Sequence, residues 1–224
     1  MRQTLQGGLD RLLPFLEELA RNNDRTWFEA NRARYDADVR DPALRLVEAM
    51  QEPLLGISPH LVADPRPGGS LLRIHRDLRF AKDRSPYKTY ASIRFFHRAD
   101  DGRRDVPSYH LRLAPGASSL EVGIREPPRP ALARIRSAIL DDDRGWRAVL
   151  AAGLEWGPPP RTKPAGVPSD HPFAEDLRRR GFAAHIPFSD EQVVGAAFPA
   201  TLADASRKGA PLNAFLAKAV GMEW

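Results

Sequence analysis

The 224-residue sequence contains no cysteine. This absence excludes disulfide bonds, thiol catalysis and cysteine-ligated metal sites, and it makes the cytoplasm the expected location. No run of about 18 consecutive apolar residues occurs either, so we expect no membrane-spanning helix and no membrane partner. The apolar stretch near the N-terminus is followed by acidic residues and has no small-residue cleavage site. We therefore interpret it as a first helix and not as a signal peptide.

Several motifs that would identify an enzyme are also missing. The histidines show no HExxH or HxH spacing, so we expect no metal; they are His60, His75, His97, His110, His171 and His185. The run Asp141-Asp142-Asp143 resembles a metal cluster, but it lies between two predicted helices, where an aspartate caps the second. The sequence 68–70 lacks the lysine of a phosphate loop, and no GxSxG motif supports a serine hydrolase. We predict no cofactor.

Positive charge is present, and it is local. The formal net charge is +5, with 34 basic and 29 acidic residues. The segment 73–88, RIHRDLRFAKDRSPYK, carries six basic and two acidic residues, a net charge of +4, which leaves +1 for the other 208 residues. A local excess of this kind is typical of an anion site or of a surface that steers anions.

Hydrophobic periodicity predicts helices at both ends of the chain. Leucines at helical spacing predict a first helix after Asp10, its expected N-cap, and Asp24 is expected to cap a second. Asp41-Pro42 is typical of a helix start and predicts a third. Further helices are expected at about 130–141, 143–151, 173–180 and 196–220. The last of these is predicted to bend or break near Gly209-Ala210-Pro211, and Ser189 with Gln192 fits a capping box.

Between these helices the apolar period changes to two. We predict strands at about 71–80, 88–97, 107–114 and 119–126, and a further strand in the sequence FAAHIPF. The short connections favour antiparallel pairing, because parallel crossovers need a dozen or more residues. The Pro-rich region from 157 to 172 is expected to be a surface loop. The sequence therefore predicts one α+β domain over residues 1–224, with an antiparallel sheet of four to five strands packed with N-terminal and C-terminal helices.

Alternation within the predicted strand 71–80 divides the charged motif into two faces. Ile74, Leu78 and Phe80 belong to the core, and Arg76 lies on the same side. A buried guanidinium needs a partner, so we expect Arg76 to form a structural ion pair with a helix carboxylate, Asp38 or Glu29. The opposite face carries Arg73, His75, Asp77 and Arg79.

The turn that follows extends the second face. A hairpin at AKDRSP would bring together the predicted ligand-binding residues, which are Arg73, Arg79, Lys82, Arg84, Tyr87 and Lys88. Arginine suits phosphate or carboxylate, and the candidate acid–base groups are Asp77 and His75. The alternative is an edge hairpin whose positive charge only prevents edge-to-edge pairing.

Three segments, 22–35, 68–90 and 210–224, resemble the bacterial and fungal family DUF2461, a domain of unknown function. The motif of that family is close to RxxRDxRF, followed by Asp or Asn with Lys and then by Tyr. The matching residues are Arg73, Arg76, Asp77, Arg79, Phe80, Asp83 and Tyr87. Arg84 departs from the motif, because the family usually has lysine there. The resemblance implies a single domain, and it brings no activity, substrate or cofactor.

Three functions follow from these residues. The favoured one is a site that binds, or binds and acts on, a phosphorylated or other anionic small molecule. The second is a structural or protein-interaction domain, in which the motif is a buried ion-pair network and Arg76→Ala or Asp77→Ala unfolds the protein. The least favoured is a single-stranded nucleic-acid binder that uses aromatic residues on the sheet, namely Tyr87, Tyr90, Phe95 and Phe96. The sequence does not specify an oligomeric state.

Overall fold

One antiparallel sheet organises the computed structural model of the protein, which describes residues 8–79, 82–100, 102, 105–157 and 171–224. The sheet has six strands in the order β1-β2-β3-β4-β6-β5. They are β1 Leu61–Val62, β2 Ala91–His97, β3 Ser108–Leu113, β4 Ser118–Ile124, β5 Glu155–Trp156 and β6 Phe182–Phe188. The predicted α+β class is confirmed. The two strands missed are β1 and β5, which are too short to show any alternation.

Ten α-helices lie in the described residues, before and after the main strands. They are α1 Leu12–Arg21, α2 Arg25–Ala30, α3 Arg32–Tyr35, α4 Asp41–Ala49, α5 Gln51–Leu55, α6 Arg129–Asp141, α7 Asp143–Ala151, α8 Ala174–Leu177, α9 Asp190–Val194 and α10 Phe198–Ala219. None of the helices within these ranges is long and apolar enough to span a lipid bilayer. Their buried faces join the sheet in one apolar cluster.

Several predicted helix ends are confirmed. The Asp24 carboxylate accepts a hydrogen bond from Trp27 N, and the Asp142 carboxylate accepts one from Gly145 N. Ser189 and Gln192 form both hydrogen bonds of the capping box. These side chains satisfy backbone N–H groups that have no partner within the helix.

Two other predicted helix starts differ in detail from the structure. Asp10 does not cap α1, because Arg11 occupies the cap position without a side-chain hydrogen bond. The helix start predicted at Asp41-Pro42 is present, since α4 begins at Asp41, but a π-helical turn, Asp36–Arg40, leads into it without a break. Here Asp41 N–H donates to the carbonyl of Asp36, five residues back. This wider turn comes just before Pro42, whose ring would clash with the carbonyl four residues earlier in a regular α-helix.

The last helix also continues where a break was expected. Helix α10 includes Pro211, and the residues that follow it, Leu212, Phe215 and Leu216, are buried. Proline removes the helical donor to the carbonyl of Arg207, four residues earlier, but Arg207 is exposed, so water can replace that donor. Burial of the apolar face therefore keeps α10 intact. The buried Tyr109 hydroxyl also donates to Ser206 O at 2.9 Å.

The segment 71–80 is not a strand as far as the structure describes it. It makes two isolated bridges, Leu71 with Ile93 and His75 with Tyr87. Within it Asp77 accepts the backbone N–H of Arg79, and beyond it Asp83 accepts that of Ser85. Such side-chain hydrogen bonds turn the backbone locally and compete with strand pairing. Strand β2 correspondingly begins at Ala91, later than predicted. The predicted surface loop at 157–172 lies mostly outside the described residues.

The two faces of the sheet differ in character. One face is apolar and buried, with Ile93, Tyr109, Leu111, Leu120 and Val122 all fully covered. The opposite face carries polar residues that are mostly half-buried; across β2, β3, β4 and β6 these include Ser92, Arg94, His110, Glu121 and His185. Burial on one side only is typical of antiparallel sheets, and it leaves the polar face available to a ligand.

Candidate functional site

The charged motif is fixed to the N-terminal helices through Tyr87. The Asn23 side chain donates to Tyr87 O at 3.0 Å and accepts from Tyr87 N at 3.1 Å. The Tyr87 ring is 3% exposed and stacks on Phe28, with ring centroids 4.0 Å apart. The structure therefore places Tyr87, a predicted ligand-binding residue, mainly as an anchor of the motif in the core.

Arg76 forms an ion pair, although with neither predicted partner. Its guanidinium bonds Asp83 and lies 3.2 Å from Ser85 O. Glu29 instead pairs with Arg32, and Asp38 lies 4.0 Å from an arginine of α3. The reason is local, because the turned chain brings a carboxylate from the same loop to Arg76. The Asp83 side chain is 63% exposed, so this pair is at the surface and not in a buried network.

Asp77 forms the second ion pair of the motif. It binds Arg79 at 2.6 Å, and the Arg79 side chain is 78% exposed. The hydrogen bond from this guanidinium is the main cause that lowers the pKa of Asp77 to about 2. A carboxylate so strongly held as an anion is a poor general base near neutral pH. The other acid–base candidate, His75, packs its ring against Tyr87 at 5.2 Å.

Because the Asp77–Arg79 pair is exposed, we expect Asp77→Ala to melt close to the wild type. The matched control is Ile74→Ala in the same segment, since Ile74 is 7% exposed and belongs to the core cluster. Its melting temperature should fall clearly, and circular dichroism on heating measures both variants. An Asp77→Ala protein that melts as low as Ile74→Ala would show that the pair supports the fold.

Lys88 differs from the other cations of the motif. Its ammonium donates to Arg73 O at 2.8 Å, and no described carboxylate forms an ion pair with it. Burial, and secondarily the Arg73 guanidinium, lower the pKa of Lys88 below its ordinary value. The protonated form of Lys88 is therefore destabilised where it stands, and a bound anion would relieve that cost.

A cavity of about 530 Å³ opens beside Lys88. Arg76, Asp77 and Tyr90 also line it. A second cavity, of about 350 Å³, shares Ala20 and Thr89 with the first as walls and adds Arg112. We call the two together the α1 groove, because α1 lines both. Of the predicted ligand-binding residues only Lys88 and Tyr87 line this groove; Arg73, Arg79, Lys82 and Arg84 are exposed outside it.

Tyr90 connects the groove to the polar face of the sheet. The Arg112 guanidinium lies 3.9 Å from the centroid of its ring, and the Lys88 ammonium lies 6.0 Å from it. Arg112, like Lys88, forms no ion pair with a carboxylate in the part of the chain that the structure describes. Two uncompensated cations thus flank one aromatic ring, and stacking on the ring restricts where the Arg112 guanidinium points.

On the polar face, a row of side chains crosses four strands. Arg94, His110, Glu121 and His185 are direct neighbours in the strand register. Ser92 Oγ lies 2.5 Å from His110 Nε2, which fixes the imidazole. Burial is the main cause that lowers the pKa of His110, although Glu121 opposes the shift. The cations Arg125, Arg94 and Lys88 lower it further, so all of these charges act on one imidazole.

Glu121 is the carboxylate at the centre of this row. Arg125 binds it through two nitrogens, with Nη2 at 2.6 Å and Nε at 2.9 Å from Oε2. His185 Nε2 lies 3.7 Å from the same oxygen. The Glu121 side chain is 13% exposed and lines a third cavity, of about 430 Å³. Among the described residues, no group of three or more His, Asp or Glu side chains could hold a metal ion.

Sequence reasoning missed most of these residues as a site. The alternation in β3 and β4 already places His110, Arg112, Glu121 and Arg125 opposite the apolar residues. Alternation does not give the register between strands. Only that register brings these four residues next to one another and to Ser92 and His185. The useful signal was ionisable residues repeated on the outward face of consecutive strands.

The chain belongs to the DUF2461 family. The model of that family, described as a conserved hypothetical protein, matches residues 11–215, nearly the whole chain. The resemblance predicted from the sequence is therefore confirmed. No curated protein and no solved structure matches the chain.

Proposed function

We propose that the protein binds a phosphorylated or otherwise anionic small molecule in the α1 groove, with Lys88 and Arg112 as the anion-binding groups. The observation that carries this proposal is the Lys88 ammonium, which is half-buried in a cavity wall beside Arg73 and has no described carboxylate as a counter-ion. A cation in such a place costs free energy unless an anion joins it. The groove supplies the room for that anion.

Arg112 completes the charge of the groove. It adds a planar guanidinium that can donate two parallel hydrogen bonds to phosphate or carboxylate. Arg79 is neutralised by Asp77, but the exposed cations Lys82 and Arg84 are the chain neighbours of Asp83, which lines the groove, and they raise the positive potential around it. Their expected contribution is therefore to the rate of association more than to contacts with the bound ligand.

Titration calorimetry at low salt tests this proposal, with inorganic phosphate and pyrophosphate as probes. A thermal-shift screen of nucleotides and sugar phosphates extends the set. We expect Lys88→Met to weaken phosphate binding by about ten- to a hundredfold, because a hydrogen bond to a charged group contributes roughly 1.5–3 kcal/mol. The matched control is Lys82→Met, which removes the same charge outside the groove and should leave the affinity almost unchanged.

Two results would overturn this function. One is a wild type that binds none of these anions. The other is an equal loss of affinity in Lys88→Met and Lys82→Met, because that would indicate nonspecific attraction by net charge and not a site.

The other two candidate functions have less support in the geometry. A buried ion-pair network would need covered partners, whereas the carboxylates of Asp77 and Asp83 are largely exposed. A stacking platform for nucleic acid would need free rings, whereas Tyr87 and Phe95 are buried and Tyr90 is contacted by Arg112. The proposed location is the cytoplasm, for which the absence of cysteine is the supporting feature.

A further inference from the structure

Beside the cations of the groove, the polar face offers groups of a different kind. Glu121 presents carboxylate oxygens that are held in place by Arg125 and face His185. His110 lies directly opposite Glu121 on β3. Carboxylates accept hydrogen bonds only, while a neutral imidazole both donates and accepts. Such a pair suits the hydroxyl groups of a ligand better than a second anion.

The charges divide the site into two halves. Lys88 and Arg112 have no described carboxylate in an ion pair, so their half carries an excess of positive charge that matches a phosphate. Farther along the same face, Arg125 is neutralised by Glu121, and Arg179, in the wall of the cavity that Glu121 lines, is neutralised by Asp176. Arg180 also lines that cavity and is exposed to solvent. Arg94 is likewise paired, with Asp100. A ligand that spans both halves should therefore carry negative charge at one end and uncharged polar groups at the other.

The spacing of the two halves is set by the sheet. Arg112 pairs with Ser119, and Glu121 lies two residues farther along the same strand. With strands about 4.8 Å apart and about 3.4 Å per residue, the Cα atoms of Arg112 and Glu121 lie about 8 Å apart. This separation suits a molecule of the size of a pentose or hexose phosphate.

We infer that the ligand of this site is a phosphorylated sugar or polyol. Its phosphate binds Lys88 and Arg112, and its hydroxyl groups bind Glu121, His110 and His185. This inference rests on the proposed anion site and deepens it, because it names the class of ligand and assigns the half of the site around Glu121.

Calorimetry with three phosphate monoesters tests the inference. Methyl phosphate provides the charge without hydroxyl groups, while glycerol 3-phosphate and ribose 5-phosphate add them. We expect at least one of the two hydroxylated esters to bind the wild type about tenfold more tightly than methyl phosphate. In Glu121→Gln this preference should fall to about twofold or less, because charge-assisted hydrogen bonds are roughly twice as strong as neutral ones.

In the same variant, Glu121→Gln, the affinity for methyl phosphate should not fall. Removing the Glu121 charge frees the Arg125 guanidinium, so methyl phosphate should bind Glu121→Gln as tightly as it binds the wild type, or more tightly. A merely structural role for Glu121 would instead weaken both kinds of ester together. The double variant Glu121→Gln, Arg125→Met removes the freed charge and should return methyl phosphate to its wild-type affinity while the hydroxyl preference stays lost.

The outcomes separate this inference from the proposed function. If methyl phosphate binds and both hydroxylated esters bind no more tightly, the anion site stands and the sugar-phosphate inference is wrong. If Glu121→Gln keeps the full preference for hydroxylated esters, Glu121 does not bind their hydroxyl groups and the inference is again wrong. If no phosphate binds the wild type, the proposed function itself fails.

Discussion

Replacing Tyr87 with alanine is expected to lower the free energy of unfolding by about 3–5 kcal/mol, the usual cost of removing a large buried aromatic ring. The Tyr87 ring is almost fully covered and stacks on Phe28, so the deletion would leave a cavity between the motif and α2. Urea unfolding followed by circular dichroism measures the change.

Tyr87→Phe is the matched control for this prediction. The Tyr87 hydroxyl makes no hydrogen bond to a described residue, and the ring is retained, so Tyr87→Phe should unfold within about 1 kcal/mol of the wild type. It should also bind phosphate like the wild type, because Lys88 is the binding group. An alanine variant as stable as the phenylalanine variant would show that the ring does not anchor the motif.

The elements predicted correctly are those marked by a long alternating pattern or by a short-range cap in the sequence. The observed bounds of β6 are those predicted, and the bounds of β3 and β4 differ from the predicted ones by only one or two residues. The caps at Asp24, Asp142 and Ser189 follow from short-range chemistry that needs no tertiary contact. An error arose where a local signal competes with packing: Pro211 suggests a break, yet it lies in a helix that is buried along one side.

The exposure predicted for the charged motif is correct only in part. Arg73, His75, Asp77 and Arg79 are exposed and Ile74 is buried, as alternation predicts, although the segment is not a strand. Of the other two predicted core residues, Leu78 is only half-buried and Phe80 lies outside the described residues. The side chains of extended residues alternate in direction even without regular strand pairing. Most of the predicted exposure pattern is therefore correct, although the predicted secondary structure is wrong. The partner of Arg76 could not be predicted in this way, because it depends on a turn that Asp83 and Ser85 stabilise by hydrogen bonds.

The candidate site was the least predictable feature, for a physical reason. Arg94, His110, Glu121 and His185 come from four strands and meet only through the register of the sheet. A shift of that register by one residue would turn a whole set of side chains to the other face. Sequence alternation gives the face of each residue, whereas pairing decides its neighbours.

At Gly123 the fold and the proposed site both depend on the absence of a Cβ atom. It has φ of 122°, and a Cβ placed on it would lie 2.0 Å from the carbonyl oxygen of Phe182 on β6. Backbone strain and overpacking of this kind each cost about 1–3 kcal/mol, so Gly123→Ala is expected to lose roughly 3 kcal/mol or more of unfolding free energy. Urea unfolding measures the loss.

Gly116→Ala is the comparison for that loss, because it tests a glycine of positive φ that has open space around its Cβ position. Gly116 lies in the turn between β3 and β4, has φ of 63°, and no atom lies within 4 Å of the position that its Cβ would occupy. Its replacement should therefore cost only the strain of the left-handed conformation, about 1–2 kcal/mol. If Gly116→Ala and Gly123→Ala lose equal stability, the contact with Phe182 is not the cause. If Gly123→Ala loses more, the φ of 122° and the close approach of β4 to β6 together require glycine between Glu121 and Arg125. The backbone that pairs these strands would then also hold the carboxylate and the guanidinium of the proposed sugar-binding half together.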